Sequence, residues 1–250
     1  MTSNFDAFKH LTRARIALGR AGDGLPTSAL LDFTLAHALA RDAIHGEVDW
    51  GALQLALAPL ETITISSATT HKQTYLRRPD LGRVLADGEA AKLPHGPFDI
   101  AIVIGDGLSA DACMTHAAET AHEIVKLLAD FSCAPIVLAK GARVALSDPI
   151  GAALKANLVI MLIGERPGLT TADSLGAYLT FAPRKGRQDS ERNCISNIHA
   201  HGLSPALAAQ KIAWLAREAL RLQLTGVGLK EAAPDGLLTE PIKSAALPKD

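Results

Sequence analysis

Cysteine is scarce in this 250-residue chain: there are three, standing singly at Cys113, Cys133 and Cys194. With no CxxC pair and an odd count, neither a disulfide framework nor a structural zinc site is expected, and the pattern suits a reducing cytosol. Aromatic residues make up only 4% of the chain, which argues against a stacking platform for single-stranded nucleic acid. Charge of one sign is missing too. The 25 basic residues are matched by 26 acidic ones, so no basic excess exists to engage a phosphate backbone, and no nucleic-acid partner is expected. The longest strongly apolar run, Leu158 to Ile163, falls far short of the roughly 20 residues that span a bilayer, so no membrane partner is expected either. Lys9, Arg13 and Arg15 near the start are followed by no apolar stretch of the secretory kind. A soluble, intracellular protein is the expectation.

What is present is Ala and Leu in abundance, with 48% hydrophobic residues, enough for one α/β domain and a smaller appendage. Residues 1–60 read as an N-terminal helical subdomain. Thr27 or Ser28 is placed to cap a helix carrying Leu31, Leu35, Ala38 and Leu39 at helical spacing. Residues 61–230 alternate strand and helix. TITIS (62–66), DIAIVIG (99–105), 135–139, LVIMLI (158–163) and 178–181 have strand patterns. Between them, Ala117, Ala121, Ile124 and Leu128 define one helix face, and Asp148-Pro149 has the form of an N-cap followed by proline. Ser204-Pro205 opens a last helix with Ala208, Ile212, Leu215, Ala219 and Leu222 turned to the core. Strands linked by helices imply parallel pairing, so the fold class is α/β: a Rossmann-like, doubly wound, mainly parallel sheet with an N-terminal helical subdomain. Residues 231–250 lose all periodicity and read as a mobile tail.

Three segments leave strands where ligands of open parallel sheets sit. GDGLSADA (105–112) fits the dinucleotide pattern G-x-G-x-x-A, yet no acid closes the next strand, which ends in Ala139-Lys140. The competing reading is a tight turn at Asp106-Gly107 with Ser109 capping the helix. GERPGL (164–169) puts Glu165 and Arg166 at the mouth of a strongly apolar strand, where charge is costly unless solvated or satisfied. Its glycines and proline shape a loop whose backbone can approach a ligand closely. NCISNIHAHG (193–202) gathers Cys194 with His199 and His201, which fits a nucleophile, a metal pair, or a polar loop that packs a small buried cysteine. Two weaker segments are RARIALGRAG (13–22), read as a basic helical face, and RRPDLGR (77–83), read as a turn capped by Asp80 whose arginines could meet an anion or a partner.

Taken in order, GRAG, RPDLGR, DGLSADA, GERPGL with TADSLGAYLTFAPR, and NCISNIHAHG resemble the ethanolamine ammonia-lyase small subunits over about Thr12 to Lys230. The resemblance implies an ammonia-lyase that acts as a complex and turns ethanolamine into acetaldehyde and ammonia by radical chemistry, with adenosylcobalamin as cofactor. It implies a hetero-oligomer in which a large subunit carries the catalytic groups, this chain alone being inactive. Position by position, the family's cobalamin contacts fall on Val144, Glu165 and Cys194. Cys194 is then a contact residue and not a nucleophile. No D-x-H-x-x-G run occurs, so no histidine of this chain is expected to displace the cofactor's nucleotide base from cobalt.

Only about a dozen residues precede the first matching segment, where some relatives carry an extension associated with a bacterial microcompartment. Free cytoplasm is therefore the expected location, with the microcompartment as the alternative. Two other functions compete: an independent NAD(P)-binding Rossmann oxidoreductase, on the strength of GDGLSA, and a scaffold that steadies a partner without touching any ligand.

Overall fold

The computed structural model describes residues 8, 9, 11, 12 and 14–230; the expected tail, 231–250, and Arg13 lie outside the described residues. Six strands make one sheet: β1 (Thr62–Ser66), β2 (Phe98–Gly105), β3 (Ile136–Lys140), β4 (Ala156–Gly164), β5 (Leu175–Phe181) and β6 (Asn193–Ile198). They lie in the order β1-β3-β2-β4-β5-β6. The helices are α1 (Thr27–His45), α2 (Trp50–Ala56), α3 (Lys72–Arg77), α4 (Ala110–Leu127), α5 (Ser147–Leu154) and α6 (Pro205–Leu222).

The α/β class holds, but the sheet is mixed. β1, β3, β2 and β4 run parallel, while β5 is antiparallel to both β4 and β6. The cause is link length. Residues 165–174 between β4 and β5 hold no helix, and a parallel return needs a crossover of a dozen residues or more. The chain therefore turns straight back on itself. The expected Rossmann-like, doubly wound, mainly parallel sheet is thus a mixed sheet, with the antiparallel pairing beginning at this hairpin.

Strand periodicity divides the core into two layers. Ile100, Ile102 and Ile104 of β2, with Leu158, Ile160 and Leu162 of β4, pack beneath α4 and α6. The alternate residues Ala101 and Val103, and Val159, Met161 and Ile163, pack with Ile150 and Leu154 of α5. Each fully buried Ile or Leu contributes roughly 1.5–3 kcal/mol by leaving water. The predicted faces hold on the long helices: Ala117, Ala121, Ile124 and Leu128 are buried, as are Ala208, Ile212, Leu215 and Ala219. Leu222, the last residue of α6, is 41% exposed and leaves the stripe. Ser109 and Ser204 cap their helices through hydrogen bonds from Ala112 N and Leu207 N.

Several local expectations fail for physical reasons. α1 begins at Thr27 behind Pro26, with no side-chain cap, and its Leu31, Leu35 and Leu39 are more than half exposed. Asp148 lies inside the first turn of α5, where its carboxylate is drawn to Arg192 and caps nothing. Asp80 likewise pairs with Arg78 and makes no cap hydrogen bond. The described part of 13–22 forms no helix.

Candidate functional site

The exit from β2 is built to hold loops together. Asp106 Oδ1 accepts from the backbone N–H of Gly107 (3.0 Å) and Ala142 (2.9 Å), and Oδ2 accepts from Gly141 N (3.1 Å). Burial pushes this carboxyl's pKa up, against the pull of those amides and of Lys72. Gly107 sits at φ +57°, and a Cβ there would lie 2.2 Å from the carbonyl oxygen of Gly164. Leu108 N donates to that same oxygen at 3.0 Å. The Ser109 hydroxyl donates to Ala172 O at 2.7 Å. These donors bind the 164–172 loop, leaving the glycine-rich turn no cradle for a pyrophosphate. The turn-and-cap reading of GDGLSA is the correct one, and the NAD(P)-binding alternative finds no support.

Glu165 stands at the exit from β4. Its Oε2 accepts from the Ser174 hydroxyl (2.6 Å) and from Asn197 N (3.2 Å), while Oε1 has no hydrogen-bond partner among the described residues. The carboxylate lies flat on β5 because residue 176 is glycine; a Cβ there would sit 2.8 Å from Oε1. The open oxygen keeps its capacity to accept from an N–H donor.

Val144 opens the 3-10 turn Val144–Leu146 that leads from β3 into α5. Its neighbour Arg143 is locked to the 77–83 segment. Arg143 N donates to Gly82 O (2.8 Å), its Nη2 donates to Tyr75 O (3.1 Å), and the guanidinium lies 4.1 Å over the Tyr75 ring. The Nε of Arg143 is buried without a partner. Gly82 makes this packing possible, since a Cβ there would fall 2.7 Å from Arg143 Cγ.

Cys194 lies on β6, an edge strand where the sequence pattern suggests a loop, and it is exposed rather than buried. It is the cross-strand neighbour of Tyr178 on β5. Its thiol is 3.2 Å from the Ser196 hydroxyl and also contacts the Tyr178 phenol. Burial, then the nearby Cys194, pushes the Tyr178 phenol well above its ordinary range. The residues just before Cys194 are anchored: Arg192 by Asp148 and Thr180, Asn193 by Gly226 and Leu229. His199 is buried, with Nε2 2.8 Å from Asn197 Oδ1 and Nδ1 accepting from His201 N. Among the described residues no group of three His, Cys, Asp or Glu is placed to hold a metal ion.

The structure places the three predicted residues on two neighbouring pockets that share Val144, with Cys194 on one and Glu165 on the other. A pocket of about 350 Å³ is lined by Val144, Tyr178, Cys194 and Arg192. A second, of about 210 Å³, is lined by Glu165, Gly107, Tyr75 and again Val144 and Tyr178. Arg143 also borders both. Sequence reasoning missed Arg143, Tyr75 and Tyr178 as lining residues. A signal did exist: the chain has only two tyrosines, and both stand here.

Comparison with known proteins decides the family. The model of the ethanolamine ammonia-lyase light chain (EutC) matches residues 2–230. The chain belongs to this family. It is 52% identical to the ethanolamine ammonia-lyase small subunit of Bradyrhizobium diazoefficiens, over 91% of this chain and 90% of the relative. The small subunit of Xanthomonas campestris pv. campestris is 48% identical, over 96% and 92% respectively. That of Pseudomonas putida is 47% identical, over 91% and 87%. Those relatives are named as the small subunit, or light chain, of an ethanolamine ammonia-lyase. Among the described residues, no helix is long and apolar enough to cross a membrane.

Proposed function

We propose that this chain forms one wall of an adenosylcobalamin site in an ethanolamine ammonia-lyase, the opposite wall coming from the large subunit. The observation that carries this reading is the meeting of Val144, Glu165 and Cys194 in adjoining pockets that share Val144, Arg143 and Tyr178. The donor set suits the cofactor. A corrin ring is fringed with amides around an apolar edge. Glu165 Oε1 is an open acceptor for an amide N–H, and Val144 and Cys194 are small apolar contacts. Both pockets fall near or below the lower end of the roughly 300–1,000 Å³ that encloses a drug-sized ligand, so a corrinoid resting here needs a second surface.

Adenosylcobalamin supplies the radical chemistry that converts ethanolamine to acetaldehyde and ammonia. The residues of this chain hold and orient it. Glu165 would accept a hydrogen bond from the cofactor, Val144 and Cys194 would pack against it, and closure by the large subunit would exclude water from the reacting groups. On this reading the chain alone is inactive and works in the cytoplasm, with a bacterial microcompartment as the alternative location.

The test is co-expression with the large subunit of the same genome, followed by titration with adenosylcobalamin while the corrin absorption is recorded with and without ethanolamine. Binding that requires both chains, with a radical signal on adding ethanolamine, is the expected result. Glu165→Ala should weaken binding about 10- to 100-fold, the range for a lost hydrogen bond to a charged group. Cofactor affinity unchanged by Glu165→Ala in an intact complex would favour the scaffold reading.

A further inference from the structure

His116, on α4, lines neither the Glu165 pocket nor the Cys194 pocket, and it is only 5% exposed. A polar ring on the buried side of a helix is costly unless it is satisfied. Here Nε2 stands 3.3 Å from Oδ2 of Asp173, a half-exposed residue in the link between β4 and β5. An ionised carboxylate can only accept, so Nε2 carries the proton and donates it to this contact.

The same link carries Glu165 at one end and Ser174 at the other. Glu165 N donates to Ser174 O (2.9 Å), and the Ser174 hydroxyl donates to Glu165 Oε2 (2.6 Å). That hydroxyl therefore engages one carboxylate oxygen and leaves Oε1 as the open one. The entrance of α4 grips the link by its backbone, through Leu108 N on Gly164 O and the Ser109 hydroxyl on Ala172 O. Ser109 and His116 stand seven residues, about two helical turns, apart, and so lie on one side of α4. Between them they hold Ala172 and Asp173, and the His116 contact engages the side chain next to Ser174.

We propose that His116 is a positioning residue for Glu165: through Asp173 it sets the place of Ser174, whose hydroxyl turns the Glu165 carboxylate so that Oε1 is offered to the cofactor. The inference rests on the cofactor role proposed above for Glu165. His116 itself touches no ligand. Without its ring, residues 173 and 174 are freer to shift and Glu165 spends only part of its time in the competent rotamer. Apparent affinity falls with that fraction.

The two-chain complex tests this by titration with adenosylcobalamin, read by corrin absorption, in a double-mutant cycle. His116→Leu, which fills the space without a donor, should weaken binding about tenfold, the effect of losing one hydrogen bond to a charged group. His116→Gln, whose amide can place an N–H near the Nε2 position, should recover most of that loss. Asp173→Ala, made at a half-exposed side chain, should reproduce it, and decides the matter should His116→Leu fail to assemble. In a Glu165→Ala background neither His116→Leu nor Asp173→Ala should weaken binding much further, which a merely structural role would not produce. Full additive losses in that background would overturn the inference. So would a His116→Leu or Asp173→Ala complex that melts lower yet binds the cofactor as tightly as the parent. Failure of the parent reading looks different, since there Glu165→Ala alone leaves cofactor affinity unchanged.

Discussion

Arg192 and Asp148, 44 residues apart in sequence, meet in a buried bidentate ion pair with N–O distances of 2.6 and 2.7 Å. Arg192 stands two residues before Cys194, and Asp148 stands four after Val144. The pair therefore clamps two segments of the groove against each other, with Thr180 of β5 taking a further guanidinium hydrogen bond at 2.8 Å.

Removing one partner leaves the other charged and buried. Asp148→Ala or Arg192→Ala is expected to destabilise the chain by roughly 3–5 kcal/mol. At about 2–4 °C per kcal/mol for a chain of this size, the midpoint should fall on the order of 10 °C in thermal denaturation followed by circular dichroism. A fall of only a degree or two would mean that the clamp bears little of the fold.

Gly164 has no room to change. A Cβ there would lie 2.1 Å from Ser109 O and 2.7 Å from Asp106 O, both backbone atoms that cannot swing away. Gly164→Ala is expected to cost more than about 3 kcal/mol, the upper part of the overpacking range, read as a lowered urea midpoint. An unchanged midpoint would show that the β2 and β4 exits do not pack as described.

The three thiols should react in an order set by exposure. Cys194 is exposed, Cys133 is partly buried, and Cys113 is buried with its pKa pushed up by desolvation. Alkylation of the native chain, followed by peptide mass spectrometry, is expected to mark Cys194 first and Cys113 only on unfolding. Cys194→Ser should keep measurable turnover in the complex, as befits a contact residue. Loss of all turnover with cofactor still bound would point to a chemical role for the thiol.

Asp99 joins the start of β2 to the lead-in of β3, accepting from Ser132 N (2.9 Å) and the Ser132 hydroxyl (2.8 Å). Those hydrogen bonds, with Asn157, hold its pKa below the ordinary 3.8. Because the folded value is the lower one, the unfolded chain binds the proton first. The stabilisation is present above 3.8 and is lost as pH falls through the folded value. Urea midpoints measured between about pH 5 and about pH 3 should fall less steeply in Asp99→Asn than in the parent chain. Parallel slopes would contradict this.

Much of the frame was legible because local patterns and the final packing agree. LVIMLI is apolar on both faces, as a strand covered by helices on both sides must be, and it became β4 at the centre of the sheet. Ser109 and Ser204 declared the starts of α4 and α6. β6 was illegible for a definite reason. Its pairing with β5 contains a register shift between Leu175 and Ala177, and Asn197 takes φ 67°. Inward-facing Ile195 and Ile198 thus stand three apart and hide the period of two by which a strand is recognised. α1 misled in the opposite way, since Leu31, Leu35 and Leu39 repeat like a core stripe yet are more than half exposed among the described residues.

The sequence by itself determined the α/β class, the main strands and helices, and the ordered motifs that mark the family, because these depend on residues close together along the chain. Only the tertiary structure decided what those motifs do to one another. The direction of β5 follows from a link too short for a crossover. The fate of the G-x-G turn follows from the Gly164 carbonyl that fills it. The open oxygen of Glu165, the buried partner of Arg192 and the groove around both tyrosines each depend on residues dozens of positions apart meeting within a few ångströms. Such contacts have no local signature, and closing the loops between them is the work of the packed core as a whole.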